Sequence, residues 1–115
     1  MSVRALSIVS DALKELKRKY KVKVHIAYNY EHEPAFSYEP ATRTIHVSLK
    51  YVDQLLEHMS EELVKCFVKS LLAHELEHYI DVKIVKDWRK YRNMLEEEAF
   101  RIEINELVEC LQQVK

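Results

Sequence analysis

The chain has no glycine in its 115 residues, and only two prolines and two cysteines. With the prolines at positions 34 and 40, nothing beyond Pro40 is built to break a helix. The cysteines, Cys66 and Cys110, lack the CxxC spacing of a thiolate metal site. They fall on separate stretches with helical periodicity and read as buried thiols of a reducing, cytoplasmic compartment, not as a disulfide framework. Neither sign of charge prevails. Eighteen Lys and Arg against nineteen Asp and Glu leave a net charge of −1, which removes any electrostatic drive toward nucleic acid or an anionic membrane. No apolar run approaches the roughly 20 residues of a membrane span, and residues 1–20 lack the continuous apolar core of a signal peptide. Repeats, low-complexity tracts and linkers are missing too. Residues 1–115 therefore read as a single domain that can bury roughly two-thirds of its unfolded surface without cross-links. Abundant Lys and Glu beside so little Gly and Pro suits a heat-stable protein with short loops.

Against these absences stands the segment His74-Glu75-Leu76-Glu77-His78. Residues at i and i+4 share one face of a helix about 6 Å apart, so both imidazoles can hold one ion. Zinc accepts neutral His nitrogens, and three protein ligands leave a fourth position for water. A carboxylate directly after the first His can take a proton from that water, which is the chemistry behind the HExxH spacing. With six His and fifteen Glu in the chain, chance alone gives about 0.04 occurrences of this pattern, so its context must support it. Ser60 is suited to cap a helix whose first turn carries Glu61 and Glu62. On that helix, running to about Lys83, the wheel places Leu63, Phe67, Leu71, His74 and His78 on one inward stripe with Val64, Val68 and Glu75 beside it, and turns Glu77 to water. Two inward imidazoles and an inward carboxylate are costly without a metal.

The third ligand is sought on the next breaker-free stretch, Asn93 to Val114, which contains Glu96-Glu97-Glu98-Ala99-Phe100. Measured from Glu96, residues Ala99, Phe100, Leu107, Cys110, Leu111 and Val114 fall within about 60°. Glu96 then sits in the middle of an apolar arc, where zinc would be its partner, while Glu98 faces water and Glu97 lies at the margin. Glu103 also points inward. It either orients a His ligand as an acceptor or is itself the third ligand, with wheel position favouring Glu96.

On these residues the chain resembles the gluzincin zinc peptidases, in which HExxH is followed by a Glu on a later helix. Glu96-Glu97-Glu98-Ala99 resembles the ExxA part of the glutamate helix of membrane-embedded relatives, although Phe100 stands where those usually carry Asp. The length and the lack of a membrane span are most similar to the minigluzincins. The resemblance covers about residues 22–103 and implies a zinc metallopeptidase that hydrolyses peptide or protein substrates, with Zn2+ on His74, His78 and Glu96 and Glu75 as general base. It also implies latency, the C-terminal segment blocking the cleft in the same chain or, by exchange of C-terminal helices in a homodimer, in a second copy. The other reading is a non-catalytic zinc-binding regulatory or interaction domain, against which the base Glu75 argues.

The rest of the chain reads as α+β. Residues 1–20 form an amphipathic helix (Leu6, Val9, Leu13, Leu16 and Tyr20 on its apolar side) expected to pack on the domain's own sheet. Val22, Val24 and Ile26 alternate as a strand, Ala35 to Tyr38 form an irregular or second strand, and Arg43 to Leu49 alternate again with Ile45, Val47 and Leu49 inward. The resemblance implies that this third strand lies at the sheet edge above the metal, where an extended substrate could pair with it; the other reading is a plain hairpin that only covers the helices. Tyr51 to Met59 is a short helix or turn. Tyr79, Tyr91, His58 and several loop tyrosines are candidates to stabilise an oxyanion, while His25, His32, His46 and His58 each stand alone and read as structural or surface residues unless one lines the cleft.

Overall fold

The computed structural model describes residues 3–114. Helix α1 (Val3–Tyr20) leads into β1 (His25–Asn29), β2 (Phe36–Glu39) and β3 (Thr44–Ser48), followed by α2 (Leu49–His58), α3 (Glu61–Ile84) and α4 (Arg92–Gln113). The strands make one mixed sheet in the order β1-β3-β2. β1 runs parallel to β3 with Ile26 opposite Ile45, and β2 runs antiparallel with Tyr38 opposite Ile45. The expected α+β domain is present. The strand expected at the edge, β3, is central instead. Its two inward residues, Ile45 and Val47, are wholly buried, and a central strand covers them better than an edge would. β2, with Pro34 and Pro40 on either side, takes the edge.

Serine caps set two helix starts. Ser60 accepts from the Leu63 N–H (3.3 Å) at α3, and Ser48 accepts from the Tyr51 N–H (3.3 Å) at α2. Helix α3 is the axis of the molecule, packed against α4, α1, α2 and β2. Its buried residues Val64, Val68, Leu72 and Leu76 share one core with Ile8, Val9, Leu13 and Leu16 of α1 and with Ile45 and Val47 of β3. The main neighbours of α1 are thus α3 and α2, not the sheet. Without glycine, the two positions with positive φ among the described residues fall to Lys21, just past α1, and Arg43, closing the β2–β3 turn; both have φ 53°. No helix among the described residues is long and apolar enough to cross a membrane.

Two expectations about the helices need correction. Cys66 and Cys110 are not free thiols: they form a disulfide, with Cα atoms 5.5 Å apart, that ties α3 to the last turns of α4. The buried face of α4 is Leu95, Ala99 and Glu106, whereas Phe100 is 54% exposed. Relative to the expected arc the helix is rotated by roughly a quarter turn. The reason is that α4 has one main neighbour, α3, so it buries only a narrow seam, and the disulfide together with Glu106 selects which one.

Candidate metal centre

The i, i+4 spacing on α3 and the antiparallel approach of α4 bring three ligand types to one point. His74 Nε2 lies 2.6 Å from Glu96 Oε1, and His78 Nε2 lies 3.1 Å from Glu96 Oε2. The rings of His74 and His78 meet edge to face, centroids 4.7 Å apart. Ligand atoms of His74, His78 and Glu96 all fall within 4.8 Å of one another, which brings the three within reach of one ion. Glu96 sits at the margin of the α3–α4 seam, not at the centre of a buried arc, and its side chain is 56% exposed. The close approach comes from Ala99, fully buried one turn on, which lets α4 lie against α3.

Glu103 lies on the other side of His74, with Oε1 2.8 Å from Nδ1. Such a contact is the one expected of an acceptor that orients the His74 ring. His74 is therefore held between two carboxylates, one at each ring nitrogen. A neutral imidazole carries a single N–H; if that hydrogen goes to Glu103, the Nε2 lone pair is left facing Glu96. Two lone pairs at 2.6 Å call for a proton or a metal cation between them, so the residues fit a zinc ion by the chemistry of their donor set.

Glu75 is buried, and its Oε2 has no hydrogen-bond partner. Burial pushes its carboxyl up to about 7; His74 draws it down, and the charges of Glu96 and Glu103 push it further up. Burial likewise lowers the His78 imidazole, with Glu96 opposing, which favours the neutral ring that a metal needs.

A cleft of about 410 Å³ opens beside His78 and Glu96, walled by Tyr38 of β2, Trp88, Leu95 and Arg92. Tyr38 stacks edge-on against Tyr79, centroids 6.0 Å apart. Tyr79, Tyr91 and His58 do not line this cleft, nor does any of residues 107–114. Gln113 and Val114 instead line a separate depression next to Cys66. Of the lone histidines, His32 and His46 stack at 4.8 Å, and His46 Nε2 meets Glu39 at 2.8 Å.

Sequence reasoning did not single out Tyr38, Trp88 and Arg92, which come to the cleft from a short strand, a turn and the first residue of α4. It also turned Glu77 to water, whereas Glu77 is half-buried and clusters with Asp81 and Glu98. The i, i+4 pair Glu77 and Asp81 could have signalled this. Compared with known proteins, the chain matches no protein-family model and no curated sequence.

Proposed function

We propose that this protein is a zinc-dependent peptidase of the gluzincin type, with His74, His78 and Glu96 as zinc ligands and Glu75 as the general base. The observation that carries the reading is the convergence of His74 and His78 on Glu96, with the second nitrogen of His74 already engaged by Glu103. Two imidazole nitrogens and one carboxylate form a donor set of hydrolytic zinc sites. When bound, zinc supplies Lewis acidity, acidifying a water and polarising a carbonyl.

The chain's own residues do the rest. Glu103 fixes the ring orientation and tautomer of His74. Glu75, its carboxyl held near neutrality by burial, takes the proton of the attacking water and passes it to the departing amine. The outer edge of β2 offers main-chain groups to an extended peptide. The cleft beyond it, with Trp88 and Leu95 in its walls and Arg92 at its rim, suits an apolar or acidic side chain. A non-catalytic zinc domain would leave the unpaired Glu75 carboxylate without a use. The C-terminal segment is tied to Cys66 and lines a different depression, so latency of the kind implied by the resemblance would need exchange of that segment between copies. Assignment to the cytoplasm rested on free thiols, and the disulfide removes that support.

Elemental analysis after folding with zinc should find one zinc per chain, and an unstructured protein substrate should be cleaved. Glu75→Gln should keep its zinc while hydrolysis drops by roughly 10²–10⁴-fold. Absence of zinc, or undiminished hydrolysis by the zinc-loaded variant, would overturn the proposal.

A further inference from the structure

The seam between α3 and α4 has two margins. Glu96 lies on one, toward the histidines. Glu98, two residues on, lies on the other, with Leu95 and Ala99 buried between them. Facing Glu98 from α3 are Glu77 and Asp81, one turn apart, and oxygens of these three carboxylates fall within 4.8 Å of one another. Three acidic side chains on a surface would mean little. Here, however, Asp81 is only 4% exposed, and its Oδ2 is buried with no hydrogen-bond partner. Among the described residues no lysine, arginine or histidine forms an ion pair with Glu77, Asp81 or Glu98, although α3 and α4 pair other acids with such groups at Lys19 and at both histidines.

A buried carboxylate with an unpaired oxygen, next to two more carboxylates and in no ion pair, needs either a proton, which Glu77 and Asp81 can share, or a cation. The geometry points to a second metal site, built from Glu77, Asp81 and Glu98, that takes a hard divalent cation. Its donors are all oxygen, which suits calcium or manganese and leaves zinc to the imidazoles. Glu98 is exposed, so the coordination positions the protein does not fill are open to water, as oxygen-ligated cations require. An ion there would bridge α3 and α4 beside Asp81, which borders the same cleft as His78 and Glu96, holding the first turns of α4, and Glu96 with them, against α3.

Mn2+ serves as the probe, counted by its electron paramagnetic resonance signal on the full chain, with zinc counted separately by elemental analysis. Beyond any zinc, one Mn2+ per chain is expected, displaced by Ca2+. Asp81→Asn and Glu98→Gln should each weaken Mn2+ binding by roughly tenfold or more with zinc content unchanged. Because Asp81 is buried and its variant could fail to fold, the exposed Glu98→Gln decides alone if need be. Binding should persist in a chain carrying His74→Ala and His78→Ala, which keeps this site distinguishable from the zinc reading whether or not zinc binds. No bound Mn2+ in the unmodified chain, unchanged affinity in Glu98→Gln, or loss of Mn2+ with the histidines would each overturn the site.

Discussion

Glu106 is 2% exposed near the end of α4, where it accepts from the Lys19 ammonium and from the Tyr20 hydroxyl (2.6 Å) at the end of α1. Burial alone would raise its carboxyl, but the Lys19 and Tyr20 hydrogen bonds outweigh burial and hold it below the ordinary range. A carboxyl whose folded pKa is depressed contributes stability above its unfolded pKa and loses it as pH falls through the folded one. Glu106→Gln should therefore cost about 1–2 kcal/mol at neutral pH. The gap to the unmodified chain should close as pH falls below the normal glutamate range. Urea unfolding across pH with a chelator present, so that zinc loss does not intrude, measures this; a gap independent of pH would mean that the charge contributes nothing. Nothing local marks Glu106 in the sequence. A helical wheel registers polarity along one helix, and the partners of this residue are 86 and 87 positions away. His74, Glu75 and His78 were legible for the opposite reason: their geometry is set by one turn of one helix. The role of Glu103 became readable only when α4 was laid against α3.

At the scale of elements, what could be read were the periods, and what could not were the neighbours. Alternation identified Ile45 and Val47 as inward, and both are buried, yet alternation cannot say whether a strand is central or at an edge. The breaker-free run from Asn93 identified α4, but its apolar residues outnumber the positions that one neighbour can cover, so Phe100, Ile104 and Val108 remain exposed. The disulfide lay beyond reach because pairing depends on which turns of α3 and α4 meet. It closes a loop between positions 44 residues apart, and on loop-entropy arithmetic its reduction should cost about 4 kcal/mol. Denaturant unfolding with and without reductant tests the size of that effect. Alkylation followed by mass measurement tests the bond itself, and two modified thiols in the unreduced protein would sink it. Zinc binding should survive reduction, since Glu96 is held by the seam at Leu95 and Ala99, several turns from Cys110.

For the whole molecule, the last turns of α4 matter most. A blocking segment and a structural one make opposite demands on residues 107–114. A blocking segment must sit in the cleft and be dispensable for folding, whereas a structural one must be anchored elsewhere and be missed when removed. Cys110 is bonded to Cys66, Gln113 and Val114 border that bond, and the cleft by His78 is lined by none of these residues. Ending the chain after Glu106 removes Cys110 and frees Cys66, and with the bond goes the constraint on the unfolded chain. The shortened protein is therefore expected to melt at lower temperature, by roughly 10 °C or more for a domain of this size, and to hydrolyse peptides no faster than the full chain when both are zinc-loaded. Reducing the full-length chain should reproduce most of the loss in stability, because the disulfide is the main thing removed. If truncation instead releases activity at an unchanged melting temperature, residues 107–114 are inhibitory, and the cleft must be occupied in solution by the corresponding segment of a second copy. Sedimentation of the full-length chain would then have to find the dimer that such an exchange requires.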